Sequence, residues 1–241
     1  MSKTIIYGKI PVKNSFYGKN LPNRILLCKD HPDNEIILHC KKLNVPYQLV
    51  EKRELDRLTD NENHQGCMAY LKEFEYSSLD SIIKNDNENH TIVLLDEIQD
   101  PVNFGSIIRS SAAFDVDGII ISKRRQVSVT PTVRKIATGA EELLPIVQVD
   151  SLINTVKQLK RDGYWVVSSA GEGKDFYNEI NYNGKFVLII GSEGFGVSEL
   201  LRKVSDYIAS IPLPGKVKAL NASIATAVFL SEINSFRIKQ K

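Results

Sequence analysis

One uninterrupted apolar run, KFVLII at residues 185–190, constrains the fold of this chain more than any other feature. A strand without alternating polar residues is typical of a parallel sheet that is covered on both faces. The run continues directly into GSEGFG, residues 191–196, whose glycines allow a ligand to approach the backbone closely. A short strand at 207–211, a loop with two prolines and a small-residue helix over 220–236 follow. The stretch therefore predicts a ligand-binding loop at the edge of a parallel sheet.

Strands and helices alternate from residue 91 onward, which predicts an α/β domain with a mostly parallel sheet and helices on both faces. Further strands are predicted at 91–95, 118–122, 145–149 and 164–169, with helices after Asp100, around 132–138 and over 151–161. Residues 1–76 predict a smaller α/β unit, with strands at 24–28, 47–50 and 66–70, a helix over 33–43 and a polar turn before the last strand. The polar stretch KNDNENH, 84–90, predicts a linker. We therefore expect domains at 1–76 and 91–241, joined by a linker at 77–90.

Charge gives only local indications of a partner. The net charge of +2 provides no global argument for nucleic-acid binding. The first 29 residues, however, contain basic side chains with interleaved aromatics and no acidic residue. This pattern fits a solvated surface and an RNA-facing surface equally well. The triplet of Lys123, Arg124 and Arg125 is, on its own, more typical of a solvated loop.

The cysteines Cys28, Cys40 and Cys67 are odd in number and lack the spacing of a metal site. They predict neither a disulfide framework nor a zinc site, so we expect a reduced, cytoplasmic protein without a metal. No segment has the apolar length of a signal peptide or a membrane span.

The segment LDEIQDPVNFGSIIR contains the first group of candidate site residues. Asp100 and Pro101 predict the start of a helix at a strand end, where ligands bind in open α/β sheets. Asn103 and Arg109 are six residues apart, hence about 120° apart around a helix, and cannot share one face. The partner of Arg109 is open between a structural carboxylate and a ligand phosphate, and position alone slightly favours the ion pair.

Two later segments add polar residues to loops. Glu193 lies among the glycines of GSEGFG, and the late GxxGxG order distinguishes this loop from the dinucleotide-binding fingerprint. In PLPGKVKALNASIA, Asn221 is predicted to be the N-cap of a helix, a role that is compatible with a place in a site.

Together and in this order, the three segments resemble the three motifs of the SpoU branch of the SPOUT RNA methyltransferases. NFGSIIR resembles the first motif, GSEGFG the second and IPLPGKVKALNASIA the third, and ATGAEELLPI at 137–146 resembles a further family stretch. Residues 1–76, with YGK at 7–9 and HQG at 64–66, resemble the ribosomal-protein-like substrate-binding domain of the 23S rRNA guanosine 2′-O-methyltransferases.

The resemblance implies a deep trefoil knot in the C-terminal α/β domain, a homodimer that completes each active site, and bound S-adenosylmethionine. It implies a catalytic set of Asn103, Arg109, Glu193 and Asn221. It also implies a cofactor site formed by Gly171, Gly191, Gly196, Ile211 and Leu220. RNA would be held by the N-terminal Lys9, Lys13, Lys19 and Arg24 and by the loop Lys123, Arg124 and Arg125.

The implied activity is methyl transfer to a ribose 2′-hydroxyl of RNA, with a 23S rRNA guanosine as the first expectation. A tRNA guanosine 2′-O-methyltransferase and a non-catalytic knotted factor in RNA binding or ribosome assembly are the alternatives. Arg109 is expected to act as phosphate clamp and alkoxide stabiliser, oriented by Glu193 and Asn221, because a guanidinium remains protonated.

One departure from the family pattern is Ala219, where relatives commonly have serine. Losing one hydrogen bond costs about 0.5–1.5 kcal/mol, so we expect weakened rather than abolished function.

Overall fold

The computed structural model describes residues 4–18, 20–83 and 87–240. The strands are β1 Thr4–Tyr7, β2 Arg24–Cys28, β3 Tyr47–Val50, β4 Cys67–Leu71, β5 His90–Asp96, β6 Gly118–Ser122, β7 Ile146–Val149, β8 Trp165–Ser169, β9 Asp175–Phe176, β10 Lys185–Gly191 and β11 Tyr207–Ser210. The helices are α1 Lys9–Asn14, α2 Asn34–Lys42, α3 Lys52–Leu58, α4 Asp80–Ile83, α5 Pro101–Ala113, α6 Pro131–Ala137, α7 Leu152–Arg161, α8 Glu199–Val204 and α9 Ala222–Lys239, with a 3-10 turn at Ala140–Glu142. Among the described residues, no helix has the length and apolarity needed to cross a membrane.

The chain forms two compact units, one of Met1–Glu75 with Val129–Leu143 and one of Tyr76–Ser128 with Leu144–Lys241. In the first unit, the sheet order is β1-β4-β2-β3, with β2 and β3 parallel and the other pairs antiparallel. Apolar side chains cover both faces, with Ile25 and Ile36 on one side and Leu26 and Leu55 on the other. Burial raises the pKa of Cys67 to about 12, so this thiol stays protonated.

Most elements predicted for the first unit are present. Asp33 caps α2, and its carboxylate accepts hydrogen bonds from the backbone N–H groups of Glu35 at 3.1 Å and Ile36 at 3.3 Å. The expected polar turn follows helix α3, which was not predicted. Leu55 packs into the core and Leu58 packs partly against it, and two apolar positions among charged residues give little periodicity to detect. Strand β1 and helix α1 were not predicted either.

Residues 129–143 belong to the first unit, although the sequence places them in the second domain. Arg134 is 1% exposed, and its guanidinium donates to Glu141 at 3.0 Å, to Glu142 at 2.6 Å and to the Lys72 carbonyl at 2.9 Å. Burial raises the pKa of Glu141 despite the neighbouring guanidinium. A buried arginine requires such partners, and the Lys72 contact spans 62 residues of sequence. A local pattern therefore does not reveal where this segment packs.

The expected linker at 77–90 is partly ordered within the second unit. Helix α4 lies in it, and Ile82 is buried against Ile120 and Val147. His90 opens β5 and is fully buried. Residues 84–86 lie outside the described part of the chain. The division between the units falls between Glu75 and Tyr76, next to the expected end of the first domain at residue 76.

The second unit is built on a sheet of order β7-β6-β5-β10-β8-β11-β9, in which every pair is parallel. This confirms the predicted α/β fold with a parallel sheet. Strand β5 is buried throughout and pairs with β10, so that Asp96 lies opposite Gly191 at the carboxyl ends of the strands. A crevice at such a point is the usual ligand site of open α/β sheets. The trefoil knot stays a prediction.

Candidate active site

The loop that follows β10, residues 191–196, closes tightly on itself. The backbone N–H of Gly196 donates to the carbonyl of Ser192 at 2.7 Å, and these two residues form a β-bridge. A Cβ atom on Gly191 would lie 2.0 Å from the carbonyl carbon of Gly196, so only glycine fits there. Gly196 itself adopts a left-handed φ of 66°. The glycines of this loop therefore serve its closure as well as any approach of a ligand.

Asp96, the last residue of β5, holds the segment that follows the loop 191–196. The sequence analysis did not identify this role. The Asp96 carboxylate is buried and accepts a hydrogen bond from the backbone N–H of Ser198 at 2.7 Å. The available signal was an acidic residue directly after the apolar run TIVLL, since buried carboxylates need such donors.

A cavity of about 260 Å³, here called the glycine-lined cavity, lies beside this loop. All the residues that the resemblance implies for the cofactor line this one cavity. They are Gly171, Gly191, Gly196, Ile211 and Leu220. Ala219 also lines it, so a serine hydroxyl at that position would belong to the same cavity. The glycines open backbone groups to a ligand, and the aliphatic side chains offer an apolar wall. This lining fits a nucleoside with an amino-acid tail.

Three polar side chains from distant segments form an amide–carboxylate cluster, defined as Asn103, Glu193 and Asn221. The Nδ2 group of Asn103 donates to Oε1 of Glu193 at 3.0 Å. The Nδ2 group of Asn221 donates to the same Oε1 at 2.5 Å and to Oδ1 of Asn103 at 2.8 Å. Two amide donors thus fix one carboxylate oxygen. The other oxygen, Oε2, makes no hydrogen bond to the described residues.

Asn221 also caps α9, as the sequence predicts. Its Oδ1 atom accepts from the backbone N–H of Ser223 at 2.9 Å and of Ile224 at 3.4 Å, and from the Ser223 hydroxyl at 2.6 Å. Both ends of the Asn221 amide are therefore occupied within the protein. This side chain holds Glu193 in place and has no donor left for a ligand.

Arg109 lies apart from the cluster. It is exposed on α5, whereas Asn103 in the first turn of that helix is only 5% exposed, in agreement with the angular argument. The side chain of Arg109 forms no ion pair or hydrogen bond with residues 4–18, 20–83 or 87–240. The structural ion pair favoured from position is thus not formed with any of these residues. Within the chain, Glu193 and Asn221 orient Asn103 rather than Arg109.

A second cavity of about 290 Å³, here called the front cavity, is also lined by Glu193. Its lining combines polar and apolar groups and consists of Glu97, Ile98, Gln99, Asp100, Asn103, Ser192, Glu193, Gly194 and Phe195. Glu193 and Ser192 line both cavities. The carboxylate therefore borders two separate cavities.

Two of the N-terminal basic residues, Lys9 and Lys13, are paired with acidic side chains. Lys9 and Lys13 each lie 3.7 Å from the Asp33 carboxylate, and Lys13 also contacts Glu35. The hydrogen bond to Glu35 raises the pKa of Lys13. Arg24 donates to Gln48, and Lys19 lies outside the described residues. The lysines of these pairs are partly exposed, and ion pairs near the surface contribute little to stability.

The loop at 123–125 is exposed at the end of β6. Lys123 pairs with Asp150 at 2.9 Å and Arg125 with Glu97 at 3.4 Å. Glu97 also lines the front cavity, so this loop lies next to the candidate site.

The comparisons with known proteins agree with this geometry. Residues 90–231 match the SpoU rRNA Methylase family, and residues 5–77 match the family described as RNA 2′-O ribose methyltransferase substrate binding. A protein of Staphylococcus saprophyticus, whose name places it in the TrmH family of tRNA/rRNA methyltransferases, is 36% identical over 239 residues, or 97% of this chain and 96% of that protein. A Staphylococcus aureus protein of the same name is also 36% identical over the same shares.

Solved structures show the same fold. The SpoU methyltransferase AviRb from Streptomyces viridochromogenes, in complex with the cofactor AdoMet, has a TM-score of 0.80 at 24% identity and covers 98% of this chain and 91% of its own. An AdoMet-bound rRNA methyltransferase from Sinorhizobium meliloti has a TM-score of 0.79 at 23% identity, over 97% and 87%. From the family match over residues 90–231 and the full-length relatives, the chain belongs to the SpoU rRNA methylase family.

Proposed function

We propose that the protein transfers a methyl group from S-adenosylmethionine to a ribose 2′-hydroxyl of RNA. The observation that carries this proposal is the hydrogen-bonded cluster of Asn103, Glu193 and Asn221, in which Glu193 lines both cavities. Membership of the family and the RNA substrate-binding match at residues 5–77 support RNA as the acceptor. The description of that second family supports the 2′-oxygen as the position.

The glycine-lined cavity is the site for S-adenosylmethionine in this proposal. Gly171, Gly191 and Gly196 would hold it through backbone groups, and Ile211 and Leu220 through apolar contact. The bound molecule supplies a methyl group that is already activated by its sulfonium charge. The protein must then bring the ribose oxygen into line, and such positioning accounts for much of the rate in reactions of this kind.

The amide–carboxylate cluster positions the ribose from the side of the front cavity. Glu193 keeps Oε1 in the two amide hydrogen bonds, which leaves Oε2 to accept a hydrogen bond from the ribose. Asn103 and Asn221 are positioning residues that act through Glu193. The developing alkoxide needs a positive group nearby, and Arg109 is the proposed one.

Arg109 fulfils this role across a homodimer. It is exposed on α5 and lies on a different face from Asn103. The neighbouring surface of α5 and α9 has a groove lined by Ser110, Ile224, Ala227 and Val228, and Ile224 is 53% exposed. A second copy that packs on this surface covers the apolar side chains and brings its Arg109 to the site of the first. Each active site is then completed by the partner protomer.

The favoured acceptor is a guanosine of 23S rRNA, with the reaction in the cytoplasm. The match to a substrate-binding family at residues 5–77 supports a dedicated RNA-binding unit. The relatives' family name covers both tRNA and rRNA, so tRNA is the alternative acceptor.

Transfer of tritiated methyl groups tests the proposal. Purified protein is incubated with labelled S-adenosylmethionine and with 23S rRNA, 16S rRNA and tRNA from a strain that lacks the gene. We expect 2′-O-methyl label in one fraction, at one nucleotide, and none with the Glu193→Gln variant. Calorimetry on the folded dimer measures cofactor affinity separately. Absence of cofactor binding together with retained RNA binding would favour the non-catalytic alternative.

The salt dependence of RNA affinity tests the loop at 123–125. Replacing Lys123, Arg124 and Arg125 by serine should reduce the slope of log affinity against log salt by roughly 0.7–0.9 for each phosphate that the loop neutralises in the wild type. The same replacement of Arg202 and Lys203, two exposed residues of α8, is the control. An unchanged slope removes the loop from the RNA interface.

A further inference from the structure

Phe195 is the most exposed large apolar side chain in the described part of the chain, with 93% of its surface open to solvent. It lies between Gly194 and Gly196 in the loop that the Ser192–Gly196 bridge closes. The backbone on both sides of it is open as well, since a Cβ atom on either glycine would meet nothing within 4 Å. Water around an aromatic ring is unfavourable, and an aromatic side chain held open by a closed loop is suited to a contact with a ligand.

The position of Phe195 connects this exposure to the reaction. Phe195 lines the front cavity together with Glu193 and Asn103, two members of the amide–carboxylate cluster. It does not line the glycine-lined cavity. A ribose that contacts Glu193 from the front cavity therefore has its attached base next to the Phe195 ring.

We propose that Phe195 is a positioning residue on which the base of the target nucleotide stacks. The inference rests on the proposed function. It identifies the base of the target nucleotide as the part of the RNA substrate that this loop contacts. Single-stranded RNA is commonly held by aromatic side chains, because every base offers a flat π-face. The same cavity also offers the polar side chains of Glu97 and the exposed Gln99, which suit the edges of a base.

The stacking contact contributes to RNA affinity in the ground state and the transition state alike. Removal of one base–aromatic stack corresponds to roughly a 5- to 150-fold decrease in affinity. Phe195→Leu should therefore raise KM for RNA by that factor and change kcat much less. Affinity for S-adenosylmethionine should stay unchanged, because Phe195 lies outside the glycine-lined cavity.

The experiment compares Phe195→Leu, Phe195→Tyr and Phe195→Trp on the RNA fraction that the wild type methylates. Tyrosine and tryptophan keep a stacking face and should retain KM within about threefold of wild type. Trp165→Leu is the control, since Trp165 is 50% exposed at the opposite end of β8 from the cavity residue Ser169. Sedimentation records whether each variant remains in the oligomeric state of the wild type.

A fluorescence measurement tests the contact without turnover. Trp165 is the single tryptophan of the chain, so Trp165→Phe combined with Phe195→Trp carries one reporter at the loop. Total RNA from the deletion strain should quench this reporter, whereas the wild-type chain should show no comparable change at Trp165. If RNA binds and quenches while no methyl group is transferred, the proposed function fails and the stacking role stands.

Three outcomes overturn the inference. Phe195→Leu with wild-type KM and an unquenched reporter excludes stacking. Equal effects of leucine, tyrosine and tryptophan on KM show that the ring face is not what the RNA contacts. A change of oligomeric state in Phe195→Leu assigns the side chain to an interface between copies instead.

Discussion

Asn221 has two structural roles, and different substitutions at this position test them separately. Its Oδ1 atom caps α9, and its Nδ2 group holds Glu193 and Asn103. Serine is about as good an N-cap as asparagine but has no amide donor. We expect Asn221→Ser to change the free energy of unfolding by less than about 0.5 kcal/mol and to lower methyl transfer by roughly 10- to 100-fold.

Urea unfolding and kcat/KM on the methylated RNA measure the two effects. Asn221→Ala removes the cap as well and should cost about 1 kcal/mol more in stability. Near-wild-type turnover by Asn221→Ser would mean that the orientation of Glu193 does not limit the reaction.

Gly191 and Gly194 form a matched pair in one loop. A Cβ atom at Gly191 would lie 2.0 Å from Gly196, whereas at Gly194 it would meet nothing within 4 Å. Gly191→Ala must therefore open the loop, and we expect affinity for S-adenosylmethionine to fall by at least about tenfold, or 1.4 kcal/mol. Gly194→Ala should keep the affinity of the wild type. Calorimetry measures the affinity of both variants for S-adenosylmethionine. Equal affinities would show that cofactor binding does not depend on the tight closure of the loop.

At the scale of elements, Arg237 links the C-terminal helix α9 to the amino-terminal ends of β5 and β10 through hydrogen bonds. Its guanidinium donates to the carbonyls of Tyr182 at 3.1 Å and Gly184 at 3.0 Å, and to the Thr91 hydroxyl at 2.8 Å. Charged hydrogen bonds to partly buried acceptors contribute strongly to stability. We expect Arg237→Met to destabilise the second unit by about 2–3 kcal/mol.

The fluorescence of Trp165 in β8 follows the unfolding of that unit in urea. The control is Arg202→Met on the exposed side of α8, which should change stability by less than about 0.5 kcal/mol. A similar small effect at Arg237 would show that α9 is held by its apolar packing alone.

At the scale of the whole molecule, complementation between protomers tests whether Arg109 acts across the dimer. Arg109→Ala and Glu193→Gln should each abolish most activity as homodimers. A purified heterodimer of the two variants has one intact site if Arg109 comes from the partner, and should recover roughly half of wild-type activity. If Arg109 acts within its own chain, the heterodimer should stay inactive.

The reverse pairing is the matched control. A protomer with both Arg109→Ala and Glu193→Gln, paired with a wild-type protomer, should be inactive under the cross-dimer arrangement. The same heterodimer should recover about half of the activity if each chain supplies its own arginine. The two heterodimers therefore give opposite results under the two arrangements.

Local signals were sufficient for much of the second unit. The apolar run at 185–190 became β10, the expected strand at 118–122 became β6, and Asp100 and Asn221 cap the helices that they were expected to cap. Burial on both faces and N-cap chemistry act over a few residues, so the sequence displays them directly. Local signals did not reveal helix α3, where only one leucine, Leu55, is buried among charged neighbours.

The sequence by itself therefore determined the parallel α/β character of the second unit, the order of the three motifs and the residues around which a site could form. Only the tertiary structure decided which of them meet. Asn103 contacts Glu193 across 90 residues and Asn221 across 118, whereas Arg109 on the same helix stays outside. It also decided that residues 129–143 join the first unit through Arg134. These outcomes depend on strand order and on the burial of charged groups, which are set by contacts between distant segments and leave no periodic trace along the chain.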